Sequence, residues 1–136
     1  MTGSPGDDVD ALLDAMPFSR LCGVEVTAAQ AGAVTGLVEW APERCTAGGV
    51  MHGGVLMTLA DSLGALCAVL NLPPGARTST IESKTNFFRA LRSGAARGTS
   101  RPLHVGRSTI VVQTDVVDDE GRRVAQTTQT QSVLTA

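Results

Sequence analysis

The stretch from Gly53 to Leu70 constrains this chain more than any other part of it. It contains no Lys, Arg or Glu, and its single formal charge is Asp61. Asn71 and the pair Pro73-Pro74 close it, so the pattern predicts one long helix. Projected at about 100° per residue, Leu56, Leu59, Ala60, Leu63, Cys67 and Leu70 form one stripe, with Met57, Asp61, Gly64, Ala65 and Ala68 opposite. A helix with no polar face must be covered all round. Its length raises the question of a membrane span, but Thr58, Asp61 and Ser62 interrupt it and flanking basic anchors are missing. The expectation is therefore a helix buried inside a protein, not in a membrane.

The remaining sequence supplies a sheet to cover that helix. Gly23 to Trp40, rich in Val, Thr and Ala around Gly32, reads as two strands joined by a tight turn, and a loop follows from Ala41 to Gly49. Thr78–Phe88, Ala95–Val105, Ser108–Val117 and Arg122–Leu134 are Thr/Val-rich runs separated by Gly94, by Val105-Gly106 and by Asp118-Asp119-Glu120-Gly121. Asp7 to Met16 predicts a short helix that Pro17 ends. The expected architecture is α+β: a tail and short helix over 1–16, then a single domain over 17–136. In that domain a curved antiparallel sheet wraps one central helix. A hydrophobic content of 43% suffices for such a core, and 18% charged residues is too few for a disordered chain.

Composition also narrows function. A formal charge of −2 excludes a generally polybasic nucleic-acid binder. Cys22, Cys45 and Cys67 have no CxxC spacing, which argues against a disulfide framework or a cysteine zinc site. The start of the chain lacks the basic and apolar segments of a signal peptide, so a cytoplasmic location is expected.

Two features of the helix carry chemistry. Asp61 is a carboxylate on a face with no nearby cation, which suggests partial burial; such groups are common at functional sites, although solvation or a distant Arg would also account for it. The second feature is Gly48-Gly49-Val50-Met51-His52-Gly53-Gly54, which brings glycines to the first turn, where N–H groups lack intrahelical partners. A carbonyl oxygen held at the Gly53 N–H would sit in an oxyanion hole. His52 by itself is a weaker sign and could simply hydrogen-bond to the loop. Gly53 and Asp61 are about 12 Å apart along one helix and cannot both serve one carbonyl. Two such helices antiparallel across a two-fold axis would bring them together, so the pattern implies a homodimer.

His52-Gly53-Gly54-Val55-Leu56-x-x-Leu59-Ala60-Asp61, with Asn86-Phe87-Phe88-Arg89 and His104-x-Gly106-Arg107 downstream, resembles the hotdog-fold acyl-CoA thioesterases of the phenylacetate-degradation type. The similarity runs from about Phe18 to Val133. It implies a hotdog fold, dimers that commonly pair into tetramers, and hydrolysis of an aryl- or medium-chain acyl-CoA thioester without a metal or redox cofactor. It further implies that Gly53 polarises the thioester carbonyl, that Asp61 of the neighbouring subunit acts as general base or nucleophile, and that Thr80 helps orient water. The position six residues before the motif His is often Asn in such proteins, and here it is Thr46. The Asp/His signature of a dehydratase on this fold is missing.

The charge distribution suits the phosphates of CoA. Between Ser83 and Thr114 there are no acids, while Lys84, Arg89, Arg92, Arg97, Arg101 and Arg107 all occur. The turn Val105-Gly106-Arg107-Ser108-Thr109 is the preferred nucleotide contact, with Gly54, Phe87 and Arg89 as further binding candidates. Arg97 and Arg101 read better as strand-edge charges, and Phe87 reads as core or as the wall of a pantetheine channel. A nucleic-acid module would need interleaved aromatics that these strands lack. A Cys45/His52 nucleophile pair has no third group to orient it. The main alternative is a non-catalytic acyl-CoA binder on the same fold, which would have no need for Asp61.

Overall fold

The computed structural model describes residues 5–135, so the tail at 1–4 lies outside the described residues. Helix α1 spans Pro5–Asp14 and α2 spans Pro17–Leu21. Pro17 does more than end the first helix. It occupies the opening turn of the second, where a missing N–H costs nothing. Arg20 of α2 ties back to Asp14 at 2.5 Å and Asp10 at 3.5 Å, and the Ser19 and Ser62 hydroxyls, 2.6 Å apart, dock α2 onto the long helix.

The strands are β1 (Glu25–Gln30), β2 (Ala33–Glu39), β3 (Arg77–Phe87), β4 (Ala95–Val105), β5 (Thr109–Val117) and β6 (Arg123–Leu134), and the long helix α3 covers Gly53–Leu70. They form one antiparallel sheet in the order β1-β2-β4-β5-β6-β3. The order places β3, which follows α3 in the chain, at the far edge beside β6. The sheet curves around α3, which packs against all six strands. By length and composition α3 could cross a membrane, with mean hydropathy 1.7. Here its apolar face is covered by the sheet.

Alternation makes this possible. In β5, Ile110, Val112, Thr114 and Val116 are buried while the residues between them are half-buried. One contact seats the helix. Gly36 of β2 and Gly98 of β4 are cross-strand partners, and a Cβ on either would lie 2.8 and 2.7 Å from the two Leu63 methyl carbons. The paired glycines thus make a hollow for the Leu63 side chain, which is fully buried. On the outer side Met57, Asp61 and Val69 are exposed. Gly64 and Ala68, which the helical projection puts on that outer face, are buried instead, Gly64 beneath Gln129 of β6.

Candidate active site

The glycine loop before α3 is held from outside. Gly48 and Gly49 have φ of 80° and 73°, a region that favours glycine, while Trp40 Nε1 donates to the Gly49 carbonyl at 2.9 Å and Arg92 donates to that of Gly48 at 3.0 Å. His52 is the N-cap: its Nδ1 accepts from Gly54 N–H at 2.8 Å, and its own N–H donates to the Arg44 carbonyl at 2.8 Å. An accepting Nδ1 leaves the ring proton on Nε2. The cap therefore accounts for His52, and it consumes the Gly54 N–H.

Gly53 is left different from its neighbours. Its N–H has no hydrogen-bond partner among the described residues. The Phe87 ring packs on its Cα, such that a Cβ there would lie 3.2 Å from Phe87 Cζ. Together Gly53, Phe87, Phe88, Arg89, Leu56 and Thr46 line a cleft of about 380 Å³. Phe87 is 50% exposed, so it forms a cleft wall and not core.

Asp61 opens into a second cleft, of about 530 Å³, lined also by Phe18, Gly54, Met57, Ser62 and Ser83. In this chain Asp61 is exposed, not partly buried. One oxygen is held from beneath: Gln129 Nε2 of β6 donates to Asp61 Oδ1 at 3.2 Å, while Oδ2 has no partner among the described residues. Gln129 is fully buried, and nothing in the local pattern of β6 marks it. Only its position under Asp61 does.

Thr80 does not share the Asp61 cleft. Its hydroxyl donates to Gln131 Oε1 at 2.5 Å, two side chains away from the carboxylate. The β3 hydroxyl that lines the cleft is that of Ser83. The cause is a bulge in β3 between Thr80 and Glu82, which leaves Ile81 61% exposed and shifts the inward-facing parity. Thr80 faces Gln131, and Ser83 faces Gln129.

The basic residues divide between two ends of the sheet. Arg89 lines the Gly53 cleft. The Gly106–Ser108 turn closes with Gly106 N–H donating to the Thr109 carbonyl at 2.8 Å, and a Cβ on Gly106 would sit 3.0 Å from that oxygen. Phe87 pairs with Ala125 and Thr109 with Ser132, so the two ends are seven residues apart along β6, about 24 Å. Within one chain, Arg107, Ser108 and Thr109 do not reach the Gly53 cleft. Arg97 pairs with Asp119 at 2.9 Å, whereas Lys84, Arg89, Arg101 and Arg107 make no ion pair among the described residues. Cys45 donates to the Ala41 carbonyl at 3.3 Å, a bond within its own loop.

Comparison with known proteins identifies the family and the fold. The family description "Thioesterase superfamily" matches residues 48–125, from the glycine loop through most of the sheet. A 1,4-dihydroxy-2-naphthoyl-CoA hydrolase of Escherichia coli is 31% identical over 86 residues, 63% of this chain and 63% of that protein. The matches to this and the other foremost curated relatives cover about half to just under two thirds of those proteins. A thioesterase from Haemophilus influenzae has the same fold, with TM-score 0.89 at 24% identity over 99% of this chain and 93% of its own. So does a hypothetical thioesterase of Streptococcus pneumoniae solved with coenzyme A, with TM-score 0.79 at 24% identity over 91% and 99%. With the family match covering more than half of its length, this hotdog-fold chain belongs to the thioesterase superfamily.

Proposed function

We propose that the protein is a cytoplasmic acyl-CoA thioesterase that hydrolyses an aryl- or medium-chain acyl-CoA to the free acid and CoA. One observation carries the reading. The only charge on α3 is a carboxylate that opens into a cleft, with Oδ1 held by Gln129 and Oδ2 free of any partner within the described chain. Such a group can take a proton from water or attack a carbonyl directly. The unpartnered Gly53 N–H at the positive end of α3 is suited to the oxygen that becomes negative. The E. coli relative is named for hydrolysis of a CoA thioester, which supports the choice of substrate. Coenzyme A bound to the same fold in the pneumococcal structure is consistent with it.

The two groups lie in different clefts of one chain, which supports a site shared across a two-fold homodimer, with Gly53 from one subunit and Asp61 from the other. A dimer of dimers would give the distant Arg107 turn a route to a neighbouring site. The proposed hydrolysis uses water and the chain's own groups, and calls on neither a metal nor a redox cofactor. The test is thiol release by the purified protein across aryl-, hydroxyaryl- and medium-chain acyl-CoAs, with Asp61→Asn in parallel. Asn is nearly isosteric and can neither take up the proton nor form an anhydride, so a rate loss of several powers of ten is expected with near-wild-type melting. Binding of acyl-CoA without turnover by the native protein would favour the non-catalytic binder. An Asp61→Asn variant at native rate would assign the chemistry to other residues.

A further inference from the structure

Behind Asp61 runs a chain of hydrogen bonds whose direction can be worked out from its far end. Thr78 Oγ1 gives its one hydrogen to the Ser132 carbonyl at 2.7 Å, so it can only accept from Gln131, whose Nε2 lies 3.2 Å away. The Gln131 amide is thereby oriented with Oε1 inward, accepting from Thr80 at 2.5 Å and from Gln129 Nε2 at 3.2 Å. The second hydrogen of Gln129 Nε2 then points at Asp61 Oδ1, 3.2 Å away. Turning the Gln129 amide over would set its Oε1 against two acceptors, Asp61 Oδ1 and Gln131 Oε1. The arrangement is therefore locked in one sense: it gives a hydrogen to Oδ1 and none to Oδ2.

The chain gives up a hydrogen bond to hold this arrangement. Gln129 Oε1 is buried with no partner among the described residues, lying against Gly64 of α3, where a Cβ would overlap it. A side chain present only to fill space would carry no orphaned carbonyl, and Leu or Met would serve. We propose that Gln129 is the positioning residue of the reaction: it fixes Asp61 by Oδ1 and so presents Oδ2 to the substrate cleft. This rests on the thioesterase reading of Asp61, and Gln129 itself does not touch substrate.

The test compares Gln129→Met, which keeps the volume and loses the donor, with native protein and Asp61→Asn. The kcat for acyl-CoA hydrolysis should fall roughly tenfold to a hundredfold, the usual range for losing a group that orients a reactive one. KM should stay within about twofold and melting should remain near native. On the Asp61→Asn background the same change should cost nothing further. An unchanged kcat in a folded Gln129→Met protein, or an equal loss on both backgrounds, overturns the proposal. A readout without turnover runs alongside: the two side-chain amide protons of Gln129, followed by NMR in native and Asp61→Ala protein. One should move and the other, on Gln131, should keep its position. If neither moves, Gln129 does not hold Asp61. If one moves but Asp61→Asn keeps its rate, the contact is upheld and the thioesterase reading of Asp61 fails instead.

Discussion

Gly64 and Gln129 are packed so closely that any side chain at position 64 of α3 would force the buried Gln129 carboxamide to shift, because a Cβ there would overlap its oxygen. The glycine lets β6 bring an amide up to the helix one turn beyond Asp61. Glycine inside a helix normally costs about 0.5–1 kcal/mol relative to alanine, so its presence in the middle of α3 answers to packing and not to propensity.

Gly64→Ala should therefore destabilise the protein despite improving helix propensity. The methyl group would displace Gln129 and break its bonds to Asp61 and Gln131. A loss of about 1–3 kcal/mol in urea unfolding is expected, together with a fall in thioesterase rate. A variant as stable as wild type would show that Gln129 can move aside without cost.

Gly53→Pro and Asp61→Asn should each give an inactive homodimer and rescue one another when mixed. Gly53 is the first residue of α3, where proline fits and its missing N–H breaks no helical bond, and His52 already has the extended φ/ψ of −61° and 134° that suits a residue before proline. The Phe87 ring, 3.2 Å from the added Cβ, has to yield only slightly. A mixed dimer contains one doubly defective site and one intact site. Statistical mixing should restore up to about a quarter of native turnover. Two folded variants whose chains exchange, as read by mass spectrometry, yet recover nothing would exclude the shared site.

Arg107→Ala should raise KM for acyl-CoA while leaving a truncated pantetheine thioester unaffected. Arg107 is exposed at a turn and has no ion pair among the described residues, so its loss should remove one phosphate contact worth about 1–3 kcal/mol. Equal effects on both substrates would remove it from the phosphate site. Arg89→Ala, at the Gly53 cleft, is the natural comparison.

Asp118 makes the β5–β6 turn sensitive to pH. Burial alone would raise its carboxyl, but hydrogen bonds from the Arg122 N–H and guanidinium and from the Glu120 N–H, at 2.8–2.9 Å, outweigh it and hold the group below the usual carboxylate range. A depressed folded-state value means stabilisation that is present above the unfolded-state value, near 3.9, and lost as pH falls through the folded one. Asp118→Asn should melt earlier than native protein at pH 7, and the difference should shrink at pH 3. An equal difference at both pH values would trace it to lost hydrogen bonds alone.

Short-range pattern was enough to read the limits of α3, the runs that become β3 to β6, and the two features on which the candidate site is built. Helix periodicity, the Pro73-Pro74 stop and the Asp118–Gly121 turn all act within a few residues of chain. Asp61 and Gly53 stood out for the same reason, as a lone charge and a glycine at a helix start. Other decisions were made only by tertiary structure. Gln129 meets Asp61 from 68 residues away, Leu63 finds its hollow between two glycines on different strands, and β3 crosses to the far edge of the sheet. The exchange of Thr80 for Ser83 in the Asp61 cleft turns on a bulge at Ile81. One extra residue in a strand reverses which side chains face inward, and strand periodicity in the sequence carries no record of where that residue falls.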